Sequence, residues 1–183
     1  MTLKRMDNVL IVVDDLEAVK AFFLELGLEL EGETTVEGPS VDRLIGLQNV
    51  RATLVFLRTP DGSGRIELDK FLTPEAIGAG PANAPVNALG IRRIMFAVDG
   101  IDIVVARLLG RGAELVGEVV QYENSYRFAY VRGPEGIIVR SFGPASRSWL
   151  PGRVSLALSD AAGWNRLERY TSMFQTFVDS LNN

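Results

Sequence analysis

The sequence predicts an α+β fold in which two βαβββ modules form curved mixed sheets around a shared cleft, with a C-terminal helix added. Three observations predict it. The chain repeats itself, each copy reads as strand, helix, strand and hairpin, and the 41 residues after Phe142 stand outside the repeat. Shifted by 85 positions, MDNVLIVVDDLEAVKAFFLELGLELEGE faces IRRIMFAVDGIDIVVARLLGRGAELVGE without a gap. Val13/Val98, Asp14/Asp99, Gly27/Gly112, Leu30/Leu115 and Gly32/Gly117 are among the identities. A second echo, FLRTPDG against YVRGPEG, comes at an offset of 74, so the first copy carries about 11 extra residues.

The elements follow in order. VLIVV and IMFAV are short β-branched and aromatic runs, which favour strands. Asp14, Asp15 and Asp99 offer N-cap side chains for the helices that follow. Leu16, Val19, Phe23 and Leu26 recur at helical spacing, as do Ile101, Val104, Val105 and Leu108. Gly27 and Gly112 suit the left-handed position that ends a helix. ELEGE and ELVGE resume as strands, and the PDG and GPEG turns close a hairpin in each copy. VDRLIGLQNV, in the extra segment, reads as an amphipathic turn, although Arg43 and Gln48 there could cover a cavity mouth. One domain over 1–145 results, with module one at 4–71, a Gly-, Ala- and Pro-rich linker at 72–89 and module two at 90–142. In the extension, 146–183, Asp160 can cap an amphipathic helix at about 161–181, striped by Trp164, Leu167, Phe174, Phe177 and Leu181. That stripe should pack on the domain or on a partner.

Composition narrows the chemistry. The 183 residues include no histidine and no cysteine. A thiolate nucleophile, a disulfide, a Cys/His zinc site and a Ser-His-Asp triad are therefore excluded. Any general base must be a carboxylate, a lysine or a tyrosine. A net charge of −4 argues against a nucleic-acid partner. The N-terminal apolar run is short and broken by Asp14 and Asp15, so neither a signal peptide nor a membrane span is expected, and the expected location is the cytoplasm.

The strand-Asp-Asp-helix opening, LGLELEGE, GRIEL, the second opening IRRIMFAVDGID and the closing GPEGIIV together resemble the vicinal oxygen chelate superfamily. That superfamily includes glyoxalase I, bleomycin-resistance proteins and extradiol dioxygenases. The resemblance covers about residues 4–142 and implies paired modules around a cavity, commonly in homodimers, with a divalent metal in the enzymes. Carried over residue by residue, the four metal-ligand positions fall at Asn8, Glu67, Arg93 and Arg140. One carboxylate and two guanidinium groups do not make a metal site, so no metal and no cofactor are expected.

Two readings of the cleft follow. In one, Arg93 and Arg140 form a fork for a carboxylate or phosphate, with Asn8 nearby and Glu67 as base or hydrogen-bond acceptor. In the other, the arginines pair with Glu67 and fill the space a metal would occupy. Gln121, Tyr122, Tyr126 and Arg127 could line the same cleft, or sit on an exposed hairpin. Strand alternation puts Asp69 on the Glu67 side, either as a second cleft carboxylate or as a solvated strand end. The preferred function is metal-free binding of a small organic molecule. The alternatives are a metal-independent lyase or isomerase with Glu67 as base, and an interaction protein acting through the C-terminal helix. A carboxylate between arginines is held ionised and makes a weak base, which counts against the lyase.

Overall fold

A computed structural model describes residues 4–78, 80–122 and 126–144, and the extension with its expected helix lies outside the described residues. Module one contains β1 (Val9–Val12), α1 (Leu16–Leu26), β2 (Glu29–Glu37), α2 (Pro39–Ile45), β3 (Arg51–Arg58) and β4 (Arg65–Thr73). Module two contains β5 (Ile94–Ala97), α3 (Ile101–Gly110), β6 (Glu114–Leu115), β7 (Val120–Tyr122), β8 (Tyr126–Arg132) and β9 (Ile138–Pro144). The first sheet has the order β1-β4-β3-β2, and the second has β5-β9-β8-β6 with β7 also on β8. In each sheet the opening strand runs parallel to the last strand of its module, and the other pairs are antiparallel. The copies therefore match strand for strand. The continuous β2 of module one corresponds to the interrupted β6 and β7 of module two.

Local chemistry fixes the helices. The Asp15 carboxylate accepts the Ala18 N–H at 3.0 Å and caps α1. Gly27, at φ +118°, turns the chain out of α1 by returning its N–H to Phe23 and Leu24. The expected cap from Asp99 is not formed. Gly100 opens α3 in a left-handed conformation with no side-chain cap, because the Gly that replaces Asp15 in the second copy moves the cap position past Asp99. The extra segment of module one makes the short α2. Its Asp42 receives the Asn49 and Val50 N–H groups at 3.0 and 2.8 Å, while Arg43 and Gln48 are exposed.

One core joins the modules. Val19, Phe22 and Phe23 of α1 and Val104, Val105 and Leu108 of α3 meet Val55, Leu57, Ile66 and Leu68 of the first sheet and Val131 and Val139 of the second. Burial of these side chains supplies the main stabilisation. Across the helix pair, Glu25 accepts from Arg107 at 2.5 Å and pairs with Arg111 at 3.0 Å. The hydrogen bond from Arg107 is the main reason its carboxyl sits below the usual range. A second tie runs from the GPEG turn. Glu135, at φ +55°, accepts the N–H groups of Asp14 and Asp15 at 2.9 and 2.5 Å. Each sheet thus buries one face in the common core and turns the other away from it.

Candidate functional site

The outward faces carry every residue singled out by the four ligand positions, and they are copies of one another. In the first sheet Leu10 pairs with Glu67, which pairs with Phe56. In the second, Met95 pairs with Arg140, which pairs with Tyr130. Glu67 and Arg140 therefore hold the same place in the two modules, as do Asn8 and Arg93, one residue before their strands. One step further along, Asp69 between Val12 and Leu54 corresponds to Phe142 between Ala97 and Phe128. The duplicated frame presents carboxyl groups on one face and guanidinium groups on the other.

On the first face the Asn8 amide donates to a Glu67 carboxylate oxygen. Asp69 is only 8% exposed, and its Oδ1 has no hydrogen-bond partner. Its flanking neighbours Val12 and Leu54 offer no donor. Burial, and then the Glu67 charge, push its carboxyl up to about 6 from 3.8. Asp69 is thus the second carboxylate of this face and not a solvated strand end. Lys70 emerges on the other side of β4, as alternation requires. An open hollow of about 260 Å³ lies alongside, lined by Asp7, Asn8, Glu31, Gly32, Phe56 and Arg65.

On the second face two guanidinium groups share one ring. Arg93 lies 5.3 Å and Arg140 5.7 Å from the centre of Tyr130, and Arg140 also lies 4.5 Å from the centre of Phe128. Among the described residues no carboxylate pairs with either arginine, so the network between Glu67 and the arginines is not formed. The Arg140 Nε is buried without a partner. Burial is the main influence holding the Arg140 guanidinium below its usual value; Arg93 adds to it and the Tyr130 oxygen opposes it.

The remaining candidates divide. Tyr126 joins the second face, its ring 6.4 Å from Phe142. Gln121 lies on β7 opposite Arg127, and Tyr122 is described in its backbone only. Arg127 leaves the site altogether, because its guanidinium pairs with Asp102 on α3. The sequence reading passed over Tyr130, Phe128 and Phe142. The signal for them was available: the hairpin register places Tyr130 beside Arg140, and alternation then carries Phe128 and Phe142 to the same face. The linker also has a part that its composition hides. Arg132 donates to the carbonyls of Ala82 and Ala84, both at 2.9 Å, and Arg92 reaches Ala84 at 3.4 Å. A Cβ on Gly136 would overlap the Ala82 carbonyl oxygen. This strap therefore closes the Arg132 end of the second face, where Ile138 is only 2% exposed.

A guanidinium group has no lone pair to give a metal. Among the described residues, no three His, Cys, Asp or Glu side chains lie together as a metal set. Among the same residues no helix is long and apolar enough to cross a membrane.

Comparison with known proteins agrees with this fold. The sequence profile of the Glyoxalase/Bleomycin resistance protein/Dioxygenase superfamily matches residues 5–140. A solved glyoxalase family protein from Bacillus cereus is 52% identical, with a TM-score of 0.75, over 80% of this chain and 97% of that one. A glyoxalase family protein from Enterococcus faecalis is 24% identical, with a TM-score of 0.51, over 78% and 99%. A fosfomycin resistance protein from Listeria monocytogenes, solved with Mn(II) and a dihydroxypropylphosphonic acid, shares the fold at 13% identity and a TM-score of 0.50, over 79% and 92%. A search of curated protein sequences found no match. With its duplicated βαβββ modules and a profile match over most of its length, this chain belongs to the glyoxalase/bleomycin resistance/dioxygenase superfamily.

Proposed function

We propose that this protein binds a small organic anion against Arg93 and Arg140 without a metal ion, and that it does so as a homodimer. One observation carries the reading. Two guanidinium groups stand on one tyrosine ring, and among the described residues no carboxylate is paired with either. Two like charges this close repel, and an anionic ligand relieves both at once through charge-assisted hydrogen bonds. The donor set at the four ligand positions supports a metal-free site, since only Glu67 is anionic and it is engaged by Asn8. A single chain offers the arginine face as an open wall. A second copy supplies an opposite wall, and Leu10 and Val12 of the first sheet, both almost half exposed, offer apolar surface for that contact.

The test has three parts. Metal analysis of the purified protein finds no stoichiometric divalent ion. Light scattering gives twice the chain mass. A thermal-shift series with phosphate, sulfate and organic acids raises the melting temperature of the native protein, and Arg93→Gln combined with Arg140→Gln abolishes the rise. Tightly held metal, or an anion response that survives both substitutions, overturns the reading.

A further inference from the structure

We infer that the carboxylate face of the first sheet is a second, separate seat, and that it takes the ammonium head of a small primary amine between Glu67 and Asp69. It lies on the other sheet from the arginine pair and does not rest on the anion seat. Asp69 is the starting point. Its side chain is only 8% exposed, its Oδ1 has no hydrogen-bond partner, and strand alternation turns it to the same side as Glu67. The register sets Val12 and Leu54 on either side of Asp69, and Leu10 and Phe56 on either side of Glu67. None of these four side chains can donate a hydrogen bond. Among the described residues no lysine or arginine pairs with either carboxyl group. A buried carboxylate without a donor is costly, and a ligand that brings N–H groups and positive charge offsets that cost. Burial and then the Glu67 charge both work against ionising Asp69, and a cation between the two carboxyl groups reverses the second effect.

The acceptors select the kind of cation. The Asn8 amide donates an N–H to Glu67, which leaves its oxygen as a third acceptor beside the two carboxyl groups. Three acceptors match the three N–H donors of a primary ammonium. A quaternary ammonium brings charge but no donor for the Asp69 Oδ1. A divalent metal asks for more oxygen ligands than this set gives, and the apolar flanks leave little room for the waters that would complete its shell. Size follows from the hollow next to Glu67. It is bounded by Asn8 and by Phe56, the register neighbour of Glu67, and it reaches Gly32 on β2, where a Cβ would meet nothing within 4 Å. At about 260 Å³ it is smaller than the pocket of a drug-sized ligand, so it suits one ring or a short alkyl chain. At its rim Arg65 pairs with Glu31 at 2.6 Å and Arg5 with Asp7 at 2.7 Å, so those charges are matched and the body of the amine is uncharged. Leu10 and Val12 lie on the edge strand β1, and an approach over β3 and β2 does not cross them.

Calorimetric titration of the native protein near pH 7.5 with benzylamine, benzyl alcohol, benzyltrimethylammonium and magnesium chloride tests this. Benzylamine binds, and the alcohol and the quaternary ion are each weaker by about tenfold or more, the loss expected for one charge-assisted hydrogen bond. Asp69→Asn, which keeps the shape of the side chain without its charge, weakens benzylamine by about tenfold or more. Chemical-shift changes from benzylamine fall on backbone amides of β3 and β4. No benzylamine binding, an alcohol or quaternary ion as tight as benzylamine, or an unchanged affinity in Asp69→Asn overturns the assignment. So do shift changes centred on β8 and β9, which put the amine on the other sheet, and magnesium bound more tightly than benzylamine, which makes the carboxyl pair a metal seat.

Discussion

Replacing Asp69 with Asn should stabilise the protein, and by an amount that depends on pH. The carboxyl is buried between Val12 and Leu54, its Oδ1 has no partner, and it titrates at about 6 instead of 3.8. Below pH 3.8 it is protonated in the folded and unfolded chains alike, and contributes nothing. Between 3.8 and about 6 the unfolded chain releases the proton while the folded chain keeps it, so stability falls as pH rises. Above that window the native state holds an unpaired charge. At about 1.4 kcal/mol per pH unit, the displacement corresponds to a deficit of about 3 kcal/mol. Asp69→Asn should therefore match the wild type near pH 4 and exceed it by up to about 3 kcal/mol at pH 7.5, read by urea denaturation followed by circular dichroism. Because an amide in this position is itself without a partner, Asp69→Leu is the cleaner comparison, and its gain should be at least as large. Glu67→Gln should recover a smaller part, since the Glu67 charge is the lesser of the two causes. Parallel stability curves for Asp69→Asn and wild type across pH 4 to 7.5 would refute the reasoning.

Other outcomes follow from the same contacts. Glu135→Ala removes the acceptor for two N–H groups ahead of α1 and should destabilise the chain by about 1–2 kcal/mol in urea titration. Gly136→Ala drives a Cβ into the Ala82 carbonyl at a residue whose φ is +80°, and should cost at least about 2 kcal/mol; slower exchange or unchanged stability would show that the strap is not seated there. Deleting residues 146–183 should leave the melting of the paired modules intact, because the superfamily profile matches residues 5–140, outside the deleted segment.

Most of the fold was legible because the repeat supplies it twice. Periodicity alone leaves a run such as VLIVV ambiguous, but the same run before the same helix in a second copy fixes its role. The misreadings arose where the copies diverge. Asp99 matches Asp14 in sequence, yet the capping residue of α1 is Asp15, and its counterpart Gly100 has no side chain to cap with. The sequence groups Arg127 with Tyr122 and Tyr126, as residues that could line the cleft or sit on an exposed hairpin, but one step along a strand reverses the face, and Asp102 on α3 claims it. The strap was invisible for a different reason. Its anchors are backbone carbonyls, which every residue has, so PANAP carries no sign that Arg132 will hold it.

The divergence also explains why the site is harder to read than the frame. A repeat fixes which positions face outward together, and the register confirms that Glu67 and Arg140 occupy equivalent places. It does not fix their chemistry, and here the copies carry opposite charge. Had the arginines and Glu67 met within one chain, their mutual attraction would have satisfied both faces and left nothing for a ligand. The sheets turn these faces away from the common core, so each stays uncompensated: Asp69 Oδ1 on one, Arg140 Nε on the other, both buried without a partner. Buried polar atoms left in this state lower stability. An anion seated on Arg93 and Arg140 regains part of that lost stabilisation on the second face as binding energy, whereas Asp69 gains nothing from an anionic ligand.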